Sequence, residues 1–374
     1  MTSATQHGRL LSLDAFRGAT IAGMMLVNNP GSWSHIYPQL EHAPWSGWTF
    51  TDWIFPFFLF IVGVAMTFSF AKRLDTVGEK SKLYPQVFKR AAMIFVVGLF
   101  LNGFPFGLLF GHHFDLATMR IPGVLQRIAL CYLFASLIML NTTVRGQIIW
   151  IGFLLTGYWL AVMLIPVPGH GAGVLEPMGN LCWYIDSTLP VPGFDPEGIV
   201  STIPAIATTL SGVLTGHFLR AAYTKEEKTS RMFVVGNALL LLGAILDMWL
   251  PINKNMWTSS YSIFMTGWAL ICLATFYWLI DVKGYTRWAQ PFTIWGTNAL
   301  AMFVLSGVVG RLLTLVKVTQ SDGTQVALRT YIVDAFYSPL ASPINASLLY
   351  AITFALFTFL VAWVMWKKKW FWKV

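Results

Sequence analysis

Charge is what this sequence has least of. Asp, Glu, Lys and Arg together make up 11% of its 374 residues, against 56% hydrophobic. A soluble domain carries about 25% charged residues, so a water-facing globule is excluded: there is too little charge to coat its surface. Cysteine is nearly absent. Cys131, Cys182 and Cys272 are too few and too scattered for a disulfide framework or a zinc site, and no H-E-x-x-H or Cys/His cluster has metal-ligand spacing, so no metal is expected. Missing too are a P-loop, a dinucleotide fingerprint and the G-x-S-x-G elbow of serine hydrolases. No A-x-A-like cleavage site follows the first apolar run, which therefore reads as a retained anchor and not a removed signal. A net charge of +9 without any RNA- or DNA-binding pattern does not make a nucleic-acid binder.

What is present is length of apolar run. A helix crossing a bilayer core of about 30 Å needs about 20 mostly apolar residues. Ten segments qualify: 10–28, 51–70, 87–103, 121–140, 147–165, 199–219, 232–250, 260–280, 290–312 and 345–366. The expected fold is an all-α polytopic membrane protein, one transmembrane domain over 1–374. Its 17 Trp and 29 Phe suit aromatic belts at the two interfaces. Segment 326–340 is short and broken by Pro339, which predicts an interfacial or re-entrant helix. If the N-terminus is cytoplasmic, 19 of the 25 basic residues fall in inner segments and six outside. The outer loop 166–198 has no Lys or Arg but holds Glu176, Asp186, Asp195 and Glu197. This asymmetry predicts that both termini are cytoplasmic.

Polar residues at membrane depth are expensive and mark function. Three outer connections are rich in them: Asn28, His35, Glu41, His42 and Asp52 in the first; His112, His113, Asp115, Arg120, Gln126 and Arg127 in the second; Lys254, Asn255, Trp257, Ser259 and Ser260 in the third. Each has an ordinary alternative. The histidines read equally as solvated loop residues, Asp52 as a helix cap, Arg120 as a snorkelling anchor, and Asp14 with Arg17 as a structural pair on one helix face. Arg127, two turns into a span, calls for a partner or ligand. Asp247, Asn298 and Ser306 also imply a polar interior. A histidine held by a carboxylate suits a general base for an amine or hydroxyl nucleophile, with Asp52 or Glu41 fixing its tautomer. Asn28 is placed to donate to an oxyanion. From residue types alone, a transporter with a polar midplane site fits nearly as well.

The order of motifs adds a resemblance. L-D-A-F-R-G (13–18), V-N (27–28), E-H-A-P-W-S-G-W-T-F-T-D-W-I-F-P-F-F-L-F-I-V-G (41–63), R-I-P-G-V-L-Q-R-I (120–128), D-P-E-G-I (195–199) and K-N-M-W-T-S-S (254–260) together resemble the catalytic membrane domain of the heparan-α-glucosaminide N-acetyltransferase family. The resemblance implies transfer of acetyl from cytoplasmic acetyl-CoA to the amine of a terminal glucosamine across the membrane, and a homodimer. It puts the active-site histidine on His42, the nearby asparagine on Asn28 and the motif aspartate on Asp52. Arg17, Arg120, Gln126, Arg127, Lys254, Asn255 and Ser260 become candidates for the CoA donor; Glu41, Asp195, Glu197, Trp257 and Asn298 become candidates for the acceptor. Arg17, Lys72 or Arg73 are suited to pair with the nucleotide phosphates, beside their ordinary positive-inside role. Direct transfer needs His42 only as base; an acetyl-histidine relay is the alternative. The animal enzyme carries a large luminal region ahead of its first span, and this chain has nine residues there, so a smaller amino sugar or a cell-envelope saccharide is expected, in a bacterial inner membrane.

Overall fold

The computed structural model describes residues 10–109, 114–188 and 194–372. Arg9, His112, His113 and Lys373 lie outside the described residues. Helices α1 (Leu11–Val27), α2 (Ile54–Val77), α3 (Tyr84–Gly103), α4 (Val124–Asn141) and α5 (Val144–Leu164) are followed by the short α6 (Leu181–Ser187). Then come α7 (Ile199–Arg220), α8 (Lys225–Leu246), α9 (Ser259–Tyr277), α10 (Gln290–Thr297), α11 (Ala299–Leu315), α12 (Leu328–Ile332) and α13 (Pro343–Lys367). A hairpin of β1 (Lys317–Thr319) and β2 (Gln325–Ala327) is the sheet among the described residues.

Eight of these helices are long and apolar enough to cross a bilayer, nine if α10 and α11 are one bent span. With the 17 residues of α1, about 25 Å at helical rise, every expected span has its helix. Short polar signals set the ends. Thr143, Thr224 and Thr258 accept from the first-turn N–H groups of α5, α8 and α9, as N-caps do. Gly78, at φ 74°, closes α2 in the left-handed region where glycine is unstrained. At the far end of α3, Arg311 Nη1 donates to the carbonyls of Leu101, Asn102 and Phe104, placing a cation where the helix dipole is negative.

Burial sorts the spans into two shells. In α7, 78% of the apolar window is buried and in α2 61%, against 17% in α5 and 22% in α8. α2 and α7 are thus the protein-facing centre, and α5 and α8 turn most of their surface to lipid. α1 packs against α2, α9, α10 and α13. Its approach to α10 is close: a methyl group on Gly18 would lie 1.6 Å from the Phe292 carbonyl oxygen, and one on Gly296 would lie 2.3 Å from that of Asp14. Small residues let membrane helices meet backbone to backbone in this way.

Two expectations need correction. The span expected over 290–312 is broken: α10 and α11 bend by 70° at Asn298, whose φ −126° and ψ 39° leave the helical region. Asp247 does not lie deep in a span; α8 ends at Leu246, and Asp247 Oδ1 accepts from Ile252 N–H at 2.5 Å to hold the following turn. Segment 326–340, expected as an interfacial or re-entrant helix, holds the end of β2, α12 and a wide helical turn over Val333–Tyr337 that continues it.

Candidate active site

His42 sits on the loop between α1 and α2, and the chemistry of that loop is arranged by one carboxylate. Asp52, 1% exposed, receives His42 Nδ1 on Oδ1 at 2.6 Å. Its Oδ2 receives the backbone N–H groups of Ala43 at 3.1 Å and Thr49 at 3.0 Å. Asp52 therefore caps the turn Phe50–Trp53 and holds the histidine at once. A carboxylate that accepts at both oxygens cannot also donate, so Nδ1 carries the proton and Nε2 is left as the basic lone pair. His42 is 46% exposed and can meet a ligand. The loop is pinned by Gly47 N–H to Ile252 O (2.7 Å), Trp45 Nε1 to Leu175 O (2.8 Å) and Tyr261 Oη to Asp52 O (2.7 Å). Trp48 packs on Trp53, Phe264 and Trp268.

A cavity of about 500 Å³ opens beneath, within the range of small-molecule sites. At one end it is lined by Asn28, His42, Thr51, Glu197 and Lys254; at the other by Arg17, Arg73, Arg90, Gly296, Thr297 and Trp372. Phe55, Phe58, Val62, Met66 and Arg73 follow one another along a single face of α2. From Phe55 to Arg73 is about 27 Å of helix rise, so the cavity runs most of the depth of a bilayer core. Its middle is apolar, with Ile94, Leu125, Ile128, Leu300 and Phe303 on the facing helices.

The two ends differ in electrostatics. At the His42 end, Arg120 is paired bidentately with Asp195 (2.7 Å to each oxygen) and with Glu197 Oε2 at 2.6 Å. Its hydrogen bonds to Asp195 hold the guanidinium charge more firmly than usual, raising its pKa. At the other end three arginines line the wall. Arg17 Nη1 reaches Asp14 Oδ1 at 3.2 Å and Gly296 O at 3.4 Å, Arg73 Nη1 donates to Gln86 Oε1 at 2.6 Å, and Arg90 lies over the Tyr132 ring at 4.9 Å.

The candidate residues do not all meet. Asn28, His42, Glu197, Lys254 and Arg17 line the cavity; Asp52 stands behind His42, and Asp195 behind Arg120. Arg120, one of the donor candidates, is tied to the carboxylates at the His42 end. Arg127 is buried outside the cavity wall, donating from Nη2 to Gly198 O at 3.2 Å and to Ser201 Oγ, with its guanidinium 5.1 Å from the Trp257 ring. Trp257, Gln126 and Ser260 are buried and, like Asn255 and the exposed Glu41, are not part of the cavity wall. Asn298 lies beside Gly296 and Thr297 at the arginine end, far from the acceptor position expected for it. Arg90 and Trp372 were not among the sequence candidates. Arg90 is hidden in an ordinary positive run, Lys89–Arg90, and Trp372 in the aromatic tail W-F-W.

The profile of the heparan-alpha-glucosaminide N-acetyltransferase catalytic region matches residues 9–250. The chain belongs to this family. It is 29% identical over 353 residues to the Homo sapiens heparan-alpha-glucosaminide N-acetyltransferase, covering 79% of this chain and 52% of the human protein. It is 27% identical over 432 residues to the Mus musculus protein of the same name, covering 100% of this chain and 62% of that one. The chain thus spans between about half and two thirds of the length of these curated relatives. The family match takes in α1 to α8 with Asn28, His42, Asp52, Arg120, Arg127, Asp195 and Glu197, all but Lys254 of the His42 end.

One buried acid next to the site makes a stability prediction. Asp186 on α6 is 1% exposed, and its Oδ2 has no hydrogen-bond partner among the described residues. It presses on Gly198, where a methyl group would lie 2.0 Å from that oxygen. Burial pushes its pKa up to about 6. With the folded value above the unfolded one, its contribution is fully present below about pH 4 and is lost as pH rises through about 6. Asp186→Asn is expected to abolish this loss and to raise thermal stability at pH 7–8, by about 1–3 kcal/mol at most. Melting curves of both proteins in detergent from pH 4 to 8 check it; parallel curves would refute it.

Proposed function

We propose that this protein is a membrane acetyltransferase that takes acetyl from cytoplasmic acetyl-CoA and delivers it to the amine of glucosamine or a related amino sugar on the opposite side. The observation that carries the reading is the single cavity joining a triple-arginine mouth to a His–Asp pair. Arginine is the side chain best matched to phosphate oxygens, so the nucleotide sits at the Arg17 end and the thin pantetheine arm follows the apolar middle. The surplus of basic residues at the Arg17 end supports a cytoplasmic N-terminus.

At the far end, the neutral acceptor amine attacks the thioester carbonyl carbon. The C–N bond forms, and the carbonyl electron pair moves onto oxygen, where the Asn28 amide donates to the oxyanion. His42 Nε2 takes the proton from nitrogen, and Asp52 stabilises the resulting imidazolium. Collapse breaks the C–S bond; the thiolate leaves and receives the proton from His42. Glu197 and Asp195 give this mouth a negative character that attracts an ammonium acceptor before it is deprotonated. A direct transfer uses each group once, and supports a ternary complex over an acetyl-histidine relay.

The test is a purified sample given acetyl-CoA and a panel of amino sugars, read by released thiol and by mass of the acetylated sugar. Acceptor-dependent release of coenzyme A is expected. A protein that instead accumulates labelled amino sugar in vesicles without any acyl donor, and releases no thiol, is a transporter, and the reading fails.

A further inference from the structure

The arginine mouth contains an aromatic residue held there by a dedicated polar contact. Asn298, 1% exposed at the break between α10 and α11, donates from Nδ2 to Trp370 O at 3.0 Å and accepts on Oδ1 from Trp372 N–H at 3.0 Å. Both faces of the amide are used on the main chain of the segment that leaves α13. Trp372 is thereby returned to the cavity wall beside Gly296 and Thr297, the former touching Arg17. The ring is not core filling: Trp372 is 44% exposed, whereas Trp257 in the interior is at 0%. A lipid-interface anchor would need no such clasp, since any outward-facing tryptophan satisfies that role.

We propose that Trp372 is the surface on which the purine base of the donor nucleotide stacks, with Asn298 as its positioning residue. The chemistry is complementary. Arg17, Arg73 and Arg90 supply charge for phosphates, and a half-exposed indole in the same wall supplies the flat apolar face that a base requires. The inference rests on the acyl-CoA reading of the cavity and adds to it which part of the donor is recognised at the mouth. Stacking of a base on an aromatic ring is worth about 1–3 kcal/mol, which is about 5- to 150-fold in affinity.

The deciding measurement compares acetyl-CoA with acetyl-pantetheine, which lacks the nucleotide. In Trp372→Ala the ratio of kcat/KM for acetyl-CoA over acetyl-pantetheine is expected to fall about 5- to 150-fold, through KM for acetyl-CoA. Trp372→Phe should recover most of the ratio, and Asn298→Ala should lower it in the same direction. Equal losses with both donors would mark a purely structural role and overturn the proposal. Calorimetric binding of adenosine 3′,5′-bisphosphate gives a readout without turnover. If the wild type binds it and Trp372→Ala binds it as tightly, the stacking proposal alone fails. If the wild type binds neither it nor coenzyme A, the proposal falls together with the donor reading beneath it.

Discussion

Replacing His42 with alanine is expected to lower kcat for acetyl transfer about 10²- to 10⁴-fold, the usual worth of a positioned general base, with the protein still folded. The fold should survive because His42 is half exposed and, among the described residues, its side chain bonds to Asp52, whose other oxygen stays bound to Ala43 and Thr49. KM for acetyl-CoA should change little, since the proposed function puts the donor nucleotide at the opposite end of the cavity. Turnover at the wild-type rate, measured by thiol release on a sample of unchanged melting temperature, would remove His42 from the mechanism.

The second large effect is expected from Asp52→Asn, a change of one atom. The amide has two settings and neither works. With oxygen toward His42 Nδ1, its NH₂ faces the N–H donors of Ala43 and Thr49, now without an acceptor in a buried turn, at about 1–3 kcal/mol for each unsatisfied group. With NH₂ toward His42, the imidazole must place its proton on Nε2, and the lone pair that takes the proton is gone. Activity should therefore fall about 10³- to 10⁴-fold, as it does when a buried carboxylate behind a catalytic histidine is made an amide, accompanied by a lower melting temperature. The pairing of the two losses separates this variant from His42→Ala, where activity falls alone. A variant of normal activity would show that the Asp52 carboxylate only caps the Phe50–Trp53 turn.

Much of this was legible in the sequence because a bilayer asks for little subtlety. Twenty apolar residues in a row must be helical, and the ten segments fall on the helices. The break at Asn298 was not legible: G-T-N lies inside a run apolar enough for one span, and a backbone departure at one residue leaves no mark in hydropathy. His42, Asp52 and Asn28 could be read together because they stand within one connection and its flanks. The ties between distant loops could not be read. Arg120 is 75 positions from Asp195, and Asn298 is 72 from Trp370; only the packed helices bring such pairs within 3 Å. Arg127 shows the limit from the other side. Its depth in a span was correctly a sign of a special environment, yet that environment is Ser201, Gly198 and the Trp257 ring, none of them in the cavity wall.

The apolar middle of the cavity has a consequence for the cell. A polar passage open to both sides would let protons and sodium run down their gradients while the protein waited for substrate. Between His42 and the three arginines, the described walls include the apolar side chains of Phe58, Val62, Ile128, Leu300 and Phe303. Water leaves a narrow hydrophobic stretch readily, and a dewetted stretch is an electrical insulator. A bare ion finds no substitute for its hydration shell there, while an acyl arm carries its own contacts through. On the proposed function, the same residues would both accept the arm and keep the membrane sealed in its absence.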